Sequence, residues 1–167
     1  MQALHPSASR SEMHQIVLPT HTNNHDTVFG GQIAAWCDIC AAISAQRHSR
    51  GAVVTVSMDQ LHFQRPVRRG MVVILRSQVN QTWRTSMEVG VRVDAEDPAT
   101  GSKVHCCTAY LTFVALDAHG QPRPVPRLDT AGDPVLERRA REAVARRESR
   151  LQMRRLREQT AKMEEGT

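Results

Sequence analysis

The spacing of hydrophobic and polar positions changes several times along this chain. Met13–Leu18 reads MHQIVL, a short apolar strand that ends at Pro19. A polar, turn-prone loop, Thr20–Thr27, leads to Gly30-Gly31, with Asp26 or Thr27 available to cap a following helix. From Gly30 to Arg47, Ile33, Trp36, Cys37, Cys40 and Ile43 recur near three and four, with alanines between them. That spacing predicts one helix, almost free of charge and therefore covered on most sides. Residues 1–11 are polar and expected to fray.

Beyond His48 the period becomes two. Val54, Val56 and Met58 alternate with Thr55, Ser57 and Asp59, and the phase then slips so that Leu61 and Phe63 continue the apolar face. The slip predicts a β-bulge near Asp59–Gln60. Arg69-Gly70 marks a turn, and strands follow over Met71–Val79, Thr85–Val93 and Val104–Leu116. In the second of these, Met87, Val89, Val91 and Val93 form one face, and Glu88 and Arg92 the other. Asp97–Gly101 makes a tight hairpin, and Pro122, Pro124 and Pro126 form an extended exit. From Val135 to about Met163 runs a charged helix with a thin apolar line through Leu136, Ala140, Val144, Leu151 and Leu156.

Only the first helix is apolar enough to pack on a sheet centre. The arrangement that satisfies this order is α+β: a curved antiparallel sheet wrapped around one long helix, the hotdog plan. The hotdog domain is expected over 12–128, with a charged helical extension over 129–167. An open sheet edge invites pairing with a second copy, so a dimer is expected.

Composition narrows the class. With 167 residues, 40% hydrophobic and 23% charged, the chain is an ordinary soluble domain. No apolar run reaches the roughly 18 residues of a membrane span, and the N-terminus lacks signal-peptide character. The four cysteines make a poor disulfide framework, since Cys106 and Cys107 are adjacent and Cys37 and Cys40 share a helix. Reduced thiols and a cytoplasmic location are expected. The net charge of +5 lies mostly at the end: residues 1–133 hold 12 Lys/Arg against 11 Asp/Glu. Mixed signs in the terminal helix argue against a nucleic-acid partner.

The candidate chemistry starts at Asp38, a carboxylate inside the apolar helix. Gly31 lies two turns earlier on the same face, with small residues between. Free amides at a helix start can stabilise an oxyanion, and two glycines let a ligand approach them. Seven residues of helix span about 10 Å, too far for both groups to reach one carbonyl. Two antiparallel helices of a dimer would bring the Gly end of one to Asp38 of the other. The plainer alternative is that Asp38 caps or pairs with an Arg and the glycines permit close packing. Arg84-Thr85-Ser86 suits phosphate binding, Arg68 and Arg69 could add charge, and Thr55 and Ser57 share a polar phase that could line a groove. Cys37 and Cys40 read as core, adjacent thiols at 106 and 107 alternate across a strand, and no metal site is expected. His25 and His48 read as surface residues within reach of phosphate or water.

The segments PTHTNNHDTVFGGQIAAWCDICAAISAQRHSR, VVTVSMDQLHFQRPVRRG, RTSMEVGVRVDAEDPATG and AYLTFVALDAHGQPRPVP resemble the acyl-CoA hydrolase family of hotdog thioesterases. The resemblance covers about residues 12–128. It implies hydrolysis of an acyl-CoA thioester to free acid and CoA by dimers, assembled into a hexameric trimer of dimers with interfacial active sites. The family's carboxylate falls at Asp38, as general base or nucleophile. Some members carry an Asn where this chain has Thr27, so the carbonyl-polarising group is sought among the Gly30 and Gly31 amides, Thr27, Asn23 and Asn24. The resemblance also places Arg84–Ser86 near the pantetheine and phosphates. No cofactor is implied, since CoA belongs to substrate and product. The alternatives are a non-catalytic acyl-CoA-binding or sensor module and a carrier-protein thioesterase. A hotdog dehydratase would place a His on the helix, and none precedes His48.

Overall fold

The computed structural model describes residues 2–165. Strand β1 (Ser11–Ile16) precedes helix α1 (Gly30–Ser49). Then come β2 (Val53–Met58), β3 (Val72–Thr82), β4 (Ser86–Glu96), β5 (Lys103–Ala115) and α2 (Pro134–Glu165). The strands form one antiparallel sheet in the order β1-β3-β4-β5-β2, leaving β1 and β2 as its edges. The sheet lies against α1, as the hotdog plan requires. Among the described residues no helix is long and apolar enough to cross a membrane.

Alternation fixes the inner face. Val89, Val91 and Val93 on β4, and Leu111 and Phe113 on β5, are buried in the cluster that holds Ile33, Trp36, Cys37 and Ala41 of α1. Each such side chain contributes about 1.5–3 kcal/mol by leaving water. A polar line runs through this packing: Ser77 Oγ meets Ser44 Oγ at 2.7 Å and donates to the Cys40 carbonyl. Coverage of α1 is incomplete. Gly31, Ala35 and Ile39 form an exposed stripe beside the half-buried Asp38.

The C-terminus of α1 is closed by Arg123. Arg50 ends the helix with a left-handed φ of 57°. Arg123 Nη2 donates to the Ser49 carbonyl at 2.7 Å and Nε to the Leu116 carbonyl at 3.0 Å. Its guanidinium occupies the space where a Cβ on residue 51 would stand, so a larger residue there would displace it.

Several expectations change. Residues 2–10 are anchored rather than frayed: Leu4 bridges Leu128, Pro6–Ser9 form a 3₁₀ turn, and Ser9 Oγ accepts the Val79 amide at 2.9 Å. β1 starts two residues early because Ser11 and Glu12 pair with Ser77 and Arg76. The bulge in β2 falls between Thr55 and Ser57, and the strand ends at Met58. Ahead of the bulge Val54 is exposed and Thr55 faces inward opposite Phe113, and Val56 at the bulge is exposed too. Ser57 pairs with Thr112 and faces outward, so the bulge separates the two hydroxyls that simple alternation put together. A second irregularity, between Val93 and Asp94, skips Cys106, and both adjacent cysteines are buried instead of alternating. Glu88, on the face opposite Met87, Val89, Val91 and Val93, is nonetheless fully buried and accepts from Asn80 Nδ2 at 3.3 Å.

The chain divides into two compact units, Met1–Asp129 and Thr130–Thr167. In the second, Asp133 Oδ1 caps α2 through the Val135 and Leu136 amides, and Leu136, Ala140 and Ala143 are its buried positions.

Candidate active site

Asp38 sits in the third turn of α1, where β2 passes the helix. Thr55 Oγ1 donates to its Oδ1 at 2.7 Å. The carboxylate is therefore held on one oxygen by a strand hydroxyl, in a half-buried and polar setting rather than a dry one. Among the described residues no arginine is ion-paired with it, and its helix neighbour Ile39 belongs to the exposed stripe of α1.

The N-terminus of α1 lacks a side-chain cap. Phe29 is the N-cap residue, and neither Asp26 nor Thr27 caps the helix, contrary to expectation. Those two residues are engaged in the preceding loop. Asn23 Oδ1 accepts from Thr27 Oγ1 at 3.1 Å and from the His25 amide at 2.9 Å, and Asp26 turns the chain with a φ of 56°. Because the amides of Gln32 and Ile33 both go to the Phe29 carbonyl, the Gly30 and Gly31 amides precede the helix ladder and point out of its end. Asn24, next to Asn23 in the same loop, is exposed.

Arg68 and Arg69 are brought to this loop. Arg68 bridges Thr27, the Arg69 amide donates to the Asp26 carbonyl, and Arg69 Nη2 lies 3.6 Å from Asp26 Oδ2. Arg84, Thr85 and Ser86 form the β3–β4 turn instead. The Thr85 carbonyl accepts from Ala115 and the Arg84 carbonyl from Val125, leaving the Arg84 side chain exposed. The candidates thus fall into separate groups: Asp38 with Thr55, the two glycines, the Asn23–Thr27 loop with its arginines, and the β3–β4 turn. Ser57 joins none of them.

The bond between Thr55 and Asp38 escaped the sequence reading. Its signal was present: Thr55 belongs to the polar phase of the first strand after the helix. Phe29 and Phe63, at the glycines, were also missed. His48 is not a surface residue. It is buried, its Nε2 lies 2.9 Å from the Pro126 carbonyl, and burial lowers its pKa below the usual 6.5. All four thiols are free and buried. Burial pushes Cys106 up to about 11 and Cys107 to about 12, and raises Cys37 and Cys40, so none is poised as a nucleophile.

A family model described as the thioesterase superfamily matches residues 25–102. An acyl-CoA thioester hydrolase of Bacillus subtilis, YkhA, described as uncharacterized, is 46% identical over 67% of this chain and 65% of that protein. The chain spans only 18% of acyl-coenzyme A thioesterase 11 of Mus musculus and 25% of the acetyl-coenzyme A thioesterase of Rattus norvegicus. Among solved structures, a hexameric acyl-CoA thioesterase superposes with a TM-score of 0.87 at 37% identity, covering 92% of this chain and 97% of that one. An acyl-CoA hydrolase of Staphylococcus aureus, solved with butyryl coenzyme A and coenzyme A, gives 0.87 at 34% identity, covering 96% and 97%.

Proposed function

Because this chain belongs to the acyl-CoA hydrolase family of hotdog thioesterases, we propose that it hydrolyses acyl-CoA thioesters with Asp38 as the catalytic carboxylate. The observation that carries this is the Thr55–Asp38 hydrogen bond beside the exposed stripe of Gly31, Ala35 and Ile39. Thr55 occupies Oδ1, which leaves Oδ2 to take a proton from water or to attack the carbonyl directly. The thioester carbonyl is received by the amides of Gly30 and Gly31, which need no side chain at position 27. Water or the carboxylate adds to the carbonyl, the tetrahedral oxyanion forms against those amides, and the C–S bond breaks to release CoA thiolate. Where the carboxylate has attacked, water then cleaves the mixed anhydride on Asp38 to release the acid.

One chain cannot supply both halves. Asp38 and Gly31 stand about 10 Å apart along α1, whereas both must touch one carbonyl. A second copy, with its α1 antiparallel across the open stripe, brings its glycines to this Asp38. The exposed Val54 and Val56 on the sheet edge extend the surface such a copy would cover. The hexameric state of the similar thioesterase supports further assembly of dimers. Arg68, Arg69 and Arg84, all cationic and at loop ends, are assigned to the phosphates of CoA.

The solved variants of the Staphylococcus aureus hydrolase support the choice of residues. They exchange one Asp, one Asn or one Thr for Ala. That Asn precedes and that Thr follows the Asp by the same intervals that separate Asn23 and Thr55 from Asp38. On that spacing the counterpart of that Asn is Asn23 rather than Thr27. In this chain Asn23 holds the loop before the glycines, and Thr55 holds the carboxylate.

A panel of acyl-CoAs of different chain length tests the reading. The wild-type chain should release CoA thiol from at least one of them, and Asp38→Asn should fold normally but lose about 10²–10⁴-fold in kcat. Normal turnover by that variant, or none by the wild type, sinks the assignment.

A further inference from the structure

The chain has three phenylalanines. Phe113 is buried on the inner face of the sheet, whereas Phe29 and Phe63 remain 62% and 48% exposed. The two exposed rings stand at one place. A Cβ on Gly30 would lie 3.2 Å from the Phe63 ring, and a Cβ on Gly31 only 2.5 Å from the Phe29 ring. Helix α1 therefore begins between two aromatic rings, and the glycines are what admits them. Phe29 is held as the N-cap residue, with its amide on the His21 carbonyl at 2.9 Å. Phe63 arrives on the β2–β3 loop, fixed next door by the Gln64 amide on the Cys106 carbonyl at 2.8 Å.

We propose that Phe29 and Phe63 form an aromatic collar that selects the acyl group at the carbon beside the thioester carbonyl. This rests on the reading that the Gly30 and Gly31 amides receive that carbonyl. With the oxygen on those amides, the atoms within reach of the rings are the sulfur and the adjacent acyl carbon. The nucleotide of CoA is a whole pantetheine arm away. A straight acyl chain is narrow at that carbon and passes between the rings. A branch there meets a ring edge. The rings also keep water from the amides, which strengthens the hydrogen bonds they make to a developing oxyanion.

The test compares butyryl-CoA with isobutyryl-CoA, which differ only in the branch. The wild type should favour the straight chain. Phe63→Ala and Phe29→Ala should each raise the isobutyryl-to-butyryl ratio of kcat/KM by about tenfold, the usual weight of one methylene in a pocket. Phe63→Leu should fall between. Light scattering on each variant checks assembly. An unchanged ratio in both alanine variants, with Asp38→Asn inactive, overturns the collar and leaves the hydrolase reading standing. Turnover by Asp38→Asn overturns the hydrolase reading itself. Dissociation of the variants, with equal loss on both substrates, would make the rings subunit contacts and also overturn the collar.

Discussion

Thr55 gives Asp38 what a lone helix carboxylate cannot supply for itself, a fixed orientation. With Oδ1 held at 2.7 Å, the other oxygen has a defined direction. A hydrogen bond to a charged group is worth about 1.5–3 kcal/mol, which corresponds to roughly ten- to hundredfold in rate if it is needed only to aim the group. Thr55→Val is therefore expected to lower kcat by that factor with KM little changed, and Thr55→Ser to restore most of it. A purely structural role would instead lower the melting temperature without that split. His48 makes a separate prediction about stability. Burial lowers its folded pKa, so below about pH 6.5 the unfolded chain takes up a proton that the folded chain resists. Its contribution is complete above pH 6.5 and is lost as pH falls through the folded value. Urea midpoints measured from pH 8 to 5 should fall more steeply for the wild type than for His48→Gln, which keeps a donor for Pro126 but does not titrate.

The two ends of helix α1 are built for opposite purposes. At the C-terminus the last carbonyl, that of Ser49, is satisfied by the guanidinium of Arg123, a cation where the helix dipole is negative. At the N-terminus no side chain takes the first amides, and the loop that could have supplied one is tied to itself through Asn23. The closed end stabilises the helix and the open end is left for chemistry. Arg123→Ala should cost about 1–2 kcal/mol, read as a melting temperature a few degrees lower, because two carbonyls lose a charged donor. The fold should survive it, since the inner-face packing is untouched.

For the whole molecule, the question is what covers the side of α1 that the sheet does not. Gly31, Ala35 and Ile39 are exposed in the single chain, although the helix carries almost no charge. A second copy on that side would bury the stripe and complete the site. Ile39 is 52% exposed, so Ile39→Glu should leave the subunit folded. In the dimer it would place a charge in an apolar contact. Native mass measurement should then show monomers, and hydrolysis should vanish although Asp38 and Thr55 remain. A fully active monomer would overturn the shared site.

How much of this was legible beforehand depends on the range over which each feature is decided. The helix, the alternation of β4 and the offset between the glycines and Asp38 were written in local sequence, because a period of 3.6 or 2 directly states which side chains share a face. What covers each face was not written there. Alternation puts Glu88 opposite the apolar face, yet it is buried, and residues 2–10 look frayed yet are tied to distant strands. The bulges were hard to place. The phase slip announced one in the strand after the helix but at Asp59–Gln60, and the one opposite Val93 and Asp94 left no mark, because one extra residue changes the facing of all that follow. The shift in β2 turned Ser57 to the outer face, while Thr55, which precedes it, stays opposite Phe113 and reaches Asp38. The sequence by itself thus determined the helix, its buried side and the presence of a carboxylate near two glycines. Only the tertiary structure decided which hydroxyl holds that carboxylate and which rings flank the glycines, since both are contacts between residues far apart in the chain.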